Sequence, residues 1–178
     1  MQMSSSSRSG ARLAKVAKIA AVGAVLVGTT LGFTGTASAN GLVTWTNKAT
    51  GDSLAYGTNC GCVYTGSGAD NTPYGEWYDY QQPNGTWIEA NDGEDGNWCL
   101  DSNTQWDGGK EGNVYLTSCN PPTPTNTYQH WYEISTTNGW ALRSQQTGLY
   151  LDGGNGPAGT GVYTNAAYGL SNNYQHWT

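Results

Sequence analysis

Three stretches of this chain repeat one order of residues: GDSLAYGTN…CVYTG…GEWYD over 51–79, NWCLDSN…GNVYLTSCN…YQHW over 97–131, and GLYLDGGN…GVYTN…YQHWT over 148–178. The Val-Tyr pairs begin at Val63, Val114 and Val162, steps of 51 and 48 residues, and the closing tryptophans Trp77, Trp131 and Trp177 are 54 and 46 apart. A threefold period near fifty, built from short strand-like pieces, restricts the chain to a repeat architecture. One such unit cannot bury its apolar face alone, whereas three around a pseudo-threefold axis close a common core.

The pieces between the turns read as strands. Leu42 to Trp45, Val63 to Thr65, Thr86 to Ile88, Val114 to Leu116, Trp131 to Ile134, Ala141-Leu142 and Val162 to Thr164 are short and rich in β-branched and aromatic residues, with Gly, Asn, Asp and Pro between them. That pattern belongs to an all-β sandwich or barrel, and no segment sustains a helical period. The barrel is the stronger reading because closure removes exposed strand edges in a small domain; a β-sandwich is its rival.

Residues 1–39 stand apart from this pattern. Arg8, Arg12, Lys15 and Lys18 precede the apolar run IAAVGAVLVGTTLGF, and Ala37-Ser38-Ala39 is a small-residue cleavage site. This is the layout of a signal peptide of the general secretory route. The run is interrupted by Gly23, Gly28 and Gly32 and is shorter than the roughly 20 apolar residues that span a bilayer. The expected mature chain is therefore a single domain, 40–178, secreted and extracellular. It keeps three basic residues, Lys48, Lys110 and Arg143, against thirteen acidic ones, a formal charge of −10. Nucleic acid and anionic membrane surfaces are poor partners for such a chain, since both are held largely through Lys and Arg.

The order Cys-Leu-Asp, Val-x-Leu-x-x-Cys, Gln-x-Trp resembles the ricin-type β-trefoil lectins, the QxW or family-13 carbohydrate-binding modules. The middle repeat carries it best, in Cys99-Leu100-Asp101, Val114 to Cys119 and Gln129-His130-Trp131. The last keeps Leu151-Asp152 and Gln175-His176-Trp177, and the first has Leu54-Ala55 and Gly75-Glu76-Trp77 in the same places. The resemblance implies a β-trefoil with repeats at about 42–86, 87–139 and 140–178, and a buried core to which Trp77, Trp131 and Trp177 each contribute a large ring. It also pairs Cys99 with Cys119. That leaves Cys60 and Cys62, separated by Gly61; a bridge between them closes a very small ring, and cross-pairing of the two sets stays open.

The resemblance places a shallow saccharide pocket in each repeat. The Asp of the Leu-Asp step accepts hydrogen bonds from sugar hydroxyls, a demanding role suited to a carboxylate. An aromatic two positions before the second cysteine supplies a stacking face, and an Asn beside the QxW glutamine completes the polar set. Asp101 and Asp152 match the first role, and Gln129 and Gln175 match the glutamine. The aromatic position falls on Thr117, Asn165 and Gly66, and the Asn position on Tyr128 and Tyr174. The candidate carbohydrate residues are therefore Asp101, Tyr128 and Gln129 in the middle repeat and Asp152, Asn165, Tyr168 and Gln175 in the last, with Tyr128 and Tyr174 stacking from a different direction. Ala55 removes the carboxylate from the first.

These readings point to a secreted, non-catalytic lectin, with galactose- or xylose-type sugars both admitted. The rival is a β-trefoil adaptor or inhibitor with degenerate sugar sites that contacts a secreted protein, for example within a toxin assembly; its motive is the wealth of Tyr and Trp, residues enriched at interface hot spots. A hydrolase has least support, since no nucleophile–base pair stands out. No cofactor is implied. No metal site is expected either: both histidines lie inside QHW tripeptides, and Asp92 to Asp95 reads as a solvated turn lacking the alternating ligand spacing of a calcium loop.

Overall fold

The computed structural model describes residues 40–102, 105–106, 111–119, 125–154, 161–166 and 171–178. The expected leader, Tyr168 and the Pro121 to Pro124 loop lie outside the described residues. The strands are β1 (Gly41–Val43), β2 (Ser53–Gly57), β3 (Cys62–Gly66), β4 (Trp77–Gln81), β5 (Trp87–Asn91), β6 (Trp98–Asp101), β7 (Gln105–Trp106), β8 (Glu111–Asn113), β9 (Tyr115–Ser118), β10 (Trp131–Thr136), β11 (Gly139–Ser144), β12 (Tyr150–Asp152) and β13 (Tyr163–Asn165). Among the described residues there is no α-helix, only single 3₁₀ turns, and no helix long and apolar enough to cross a membrane.

The fold is a β-trefoil. Each repeat supplies a hairpin, β2–β3, β6–β9 or β12–β13, in which Leu54 faces Thr65, Leu100 faces Leu116 and Leu151 faces Thr164. The remaining strands form a barrel in the order β1, β4, β5, β10, β11. It closes through Trp177, which bridges Trp140 on one side and Asn47 on the other, and through reciprocal Thr46–Thr178 backbone bonds of 2.8 and 2.9 Å. With no open edge on this path, the barrel satisfies its own backbone groups.

The three tryptophans occupy equivalent places. Each is fully buried in one core cluster, and each indole N–H donates to the carbonyl of the hairpin leucine in its own repeat: Trp77 to Leu54 at 3.1 Å, Trp131 to Leu100 at 3.0 Å and Trp177 to Leu151 at 3.2 Å. Leu54, Leu100 and Leu151 fill the same core, as do Val63, Val114 and Val162. On the neighbouring strand each tryptophan is paired in register, with Val43, Trp87 and Trp140 respectively. Period, hairpin and core thus express one symmetry.

Two features break it. The middle repeat carries an extra hairpin, β7–β8, whose second strand pairs with β13 of the last repeat and covers that edge. Stepping two residues along the first barrel strand of each repeat from Val43, Trp87 and Trp140 gives Trp45, Glu89 and Leu142, so a carboxylic acid stands where the other repeats have large apolar side chains. Glu89 is fully buried, pairs in register with Asp79, and takes a 3.0 Å bond from the Trp45 indole N–H. Burial raises its pKa well above the ordinary value, helped by the negative charges of Asp79 and Glu133, while the Trp45 bond opposes the rise. Burial likewise pushes Glu133 up to about 7.

Both cysteine pairs are disulfides. Cys99–Cys119 ties the ends of β6 and β9, and Cys60–Cys62 crosses the β2–β3 turn, with Cα atoms 5.6 and 5.1 Å apart. Gly61 sits between them at φ 61°, a left-handed conformation that glycine adopts without steric cost.

Candidate carbohydrate site

The Leu-Asp step ends a hairpin strand, so leucine enters the core while the aspartate behind it turns toward the 3₁₀ turn that leads into Gln-His-Trp. In the last repeat that turn spans Asn173–Gln175 and is capped by Asn172, whose Oδ1 accepts from the Tyr174 N–H at 3.1 Å. The same Asn172 donates through Nδ2 to Asp152 Oδ2 at 2.8 Å. Asp152 Oδ1 accepts from the Gly154 N–H at 2.8 Å, and the Gly153 N–H reaches back to the Tyr174 carbonyl at 2.8 Å. One asparagine therefore fixes both the carboxylate and the tyrosine backbone.

Gly154 leaves room beside the carboxylate, which is itself buried. A Cβ there would lie 2.9 Å from Asp152 Oδ1 and 3.5 Å from the Tyr174 ring, so the missing side chain leaves a slot between carboxylate and ring. Tyr174 is 44% exposed. A carboxylate edge beside an accessible aromatic face is the chemistry that grips a polyhydroxylated ring: hydroxyls bond the acid, and C–H groups rest on the arene. Burial raises the Asp152 pKa, and bonds from the Gly154 N–H, Asn165, Asn172 and Gln175 pull it down.

The middle repeat repeats the construction. Asn126 caps the Thr127–Gln129 turn, accepting from the Tyr128 N–H at 3.1 Å, and donates to Asp101 Oδ2 at 2.9 Å. The Ser102 N–H reaches the Tyr128 carbonyl at 3.3 Å. Here, however, Thr117 Oγ1 also donates to Asp101 Oδ2, at 3.0 Å, and accepts from Gln129 Nε2 at 2.6 Å. The hydroxyl that stands at the expected aromatic position fills the pocket from within, and Tyr128 is only half-exposed. Burial raises the Asp101 pKa, with Thr117 the largest opposing influence.

Of the residues expected from the sequence, Asp101, Gln129 and Tyr128 gather in one pocket and Asp152 and Gln175 in another; Tyr168 lies outside the described residues. Asn165 is half-buried and donates to the Tyr163 hydroxyl at 3.1 Å as well as supporting Asp152. Gln129 and Gln175 are buried and reach the Ser118 and Ala166 carbonyls, both at 3.4 Å, so they brace the hairpins rather than face solvent. The residues missed are Asn126 and Asn172. The polar asparagine stands three positions before the glutamine, not beside it, and Asn-x-Tyr-Gln-His-Trp, present twice, is the signal that marks it.

The first repeat lacks the whole set. Ala55 is buried where the aspartates stand, Thr72 caps its turn without a side-chain bond, and Gly75 takes the glutamine place.

No family model and no curated sequence matches this chain. Solved structures do. The designed threefold-symmetric protein ThreeFoil superposes with a TM-score of 0.62 at 17% identity, over 76% of this chain and 95% of that one. The Rhizoctonia solani agglutinin gives 0.59 at 17% identity, over 80% and 96%. SeviL, solved bound to the asialo-GM1 saccharide, gives 0.54 at 14% identity, over 78% and 94%. At these identities the likeness is one of fold.

Proposed function

We propose that this chain is a secreted, non-catalytic carbohydrate-binding β-trefoil of the ricin type, with its principal site at Asp152 in the last repeat and a second, more occluded site at Asp101. The observation that carries this reading is the Asp152–Gly154–Tyr174 slot, whose carboxylate is held by Asn172 and whose ring faces solvent. Secretion is supported by the leader-like residues 1–39 and by the two disulfides, which persist in oxidising compartments. Agglutinin-like and saccharide-bound neighbours on the same fold agree with the reading. Affinity per site is expected to be weak, because a shallow polar pocket loses much of its contact energy to desolvation.

Glycan-array and polysaccharide pull-down measurements on wild type, Asp152→Ala and Asp101→Ala test it. Wild type is retained, Asp152→Ala loses most of the retention and Asp101→Ala loses less; equal retention of all three removes the proposed sites.

The first repeat favours a second reading, a protein-contact role for that face. Its hairpin has no polar sugar set and presents Tyr64, 37% exposed. Recovery of one stoichiometric protein on immobilised wild type, lost on Tyr64→Ala, would favour this role over sugar binding.

A further inference from the structure

Inside the barrel, away from both pockets, Asp79 of β4, Glu89 of β5 and Glu133 of β10 bring one carboxylate oxygen each to within 4.8 Å of the others. Glu89 is 0% exposed. Its Oε2 takes the Trp45 indole N–H, while its Oε1 is shielded from solvent and accepts no hydrogen bond. Oε1 of Glu133 is in the same condition. The described basic side chains are engaged elsewhere: Lys48 with Asn138, and Arg143 with the Gly148 carbonyl. Three acids are thus gathered in an apolar barrel, with the Trp45 indole N–H donated to Glu89 and the Glu89 and Glu133 carboxyls close enough to share a proton, at a level where the sister repeats place Trp45 and Leu142.

We infer that Asp79, Glu89 and Glu133 form a binding site for a calcium-class divalent cation, seated in the barrel and unrelated to the sugar pockets. Hard oxygen donors of this type hold calcium at about 2.3–2.6 Å in a flexible geometry, and three carboxylate oxygens mutually within 4.8 Å can share one such ion. The ion would supply positive charge to the three carboxylates, and Oε1 of Glu89, without a hydrogen-bond partner, is a ligand atom already desolvated for it. Glu133, only partly buried, marks the route of entry. The ion would join β4, β5 and β10, and so tie the first repeat to the second.

Calcium and terbium are the probes. The full mature chain is melted at neutral pH in calcium and in EDTA, beside Glu89→Leu, which installs the residue of the third repeat, and the near-isosteric Glu133→Gln. Terbium emission is read under indole excitation, with Trp45 as the nearby donor. Calcium raises the melting midpoint of wild type and leaves both variants unmoved, and sensitised terbium emission, displaced by calcium, is lost in both. An identical wild-type midpoint in calcium and EDTA overturns the inference. So does a calcium response that survives in both variants, which would place the ion on surface acids such as Asp92 to Asp95. Sugar retention does not enter either readout, so failure here leaves the lectin reading standing.

Discussion

Asp152 performs two tasks that pull against each other. Held among Asn172, the Gly154 N–H and Gln175, it is organised to accept further bonds; buried, it is easier to protonate than an aspartate in water. Sugar binding needs the ionised form. Because the pKa is raised above 3.8, retention on glycan is expected to fall on acidification at a pH above that at which an exposed aspartate titrates, and an affinity measurement from about pH 7 to 4 checks it. Asn172→Ala removes the bond that holds the carboxylate and the cap that holds Tyr174; it is predicted to weaken binding and cost about 1 kcal/mol of stability. Gly154→Ala puts a methyl into the slot and should abolish binding while the protein stays folded, as circular dichroism would report. These roles were legible in the sequence only in part. Asp152 and Gln175 follow from their spacing, but the role of Asn172 depends on a 3₁₀ turn that folds it back onto a strand twenty residues earlier, a contact that local pattern does not encode.

Hairpins carry the repeat, and their equivalence makes a strict prediction. Replacing Trp77, Trp131 or Trp177 by Phe leaves one leucine carbonyl without its donor in each case, so the three losses, on the order of 1–3 kcal/mol, should be alike in urea unfolding. One neutral substitution among them would break the equivalence. The two disulfides differ by place. Cys99 is fully buried and its bridge, with a sequence separation of 20, contributes on the order of 3 kcal/mol by loop entropy, whereas Cys60–Cys62 lies at an exposed turn and contributes roughly half as much. Mild reductant followed by alkylation and mass spectrometry should label Cys60 and Cys62 first. The strands around Val63, Val114 and Val162 were readable because their apolar runs are uninterrupted. The bridging strand β8 was not, because Glu111-Gly112-Asn113 has no strand propensity and is held by its pairing with β13.

At the scale of the molecule, a symmetric core closes a barrel that the sequence period already implied, while the acids inside it are invisible to periodicity. Asp79, Glu89 and Glu133 are separated by up to 54 positions and meet only once the strands pair. Their folded-state pKa values lie above those of unfolded glutamate for Glu89 and Glu133, so protonation favours the fold. For Glu133 the contribution is full below about pH 4.5 and is lost as pH rises through about 7. In chelator, the melting midpoint is expected to fall between about pH 5 and 8, and Glu133→Gln to flatten that fall. The central claim is narrower: of three repeats of one design, two carry the proposed sugar sites and the first does not. Amide NMR of the mature chain titrated with galactose- and xylose-based oligosaccharides tests this most directly. Saturable shifts at Asp152, Gly154 and Tyr174, with smaller ones at Asp101 and Tyr128 and none at Ala55 or Gly75, are predicted; shifts confined to the first repeat, or none for any sugar, would contradict it.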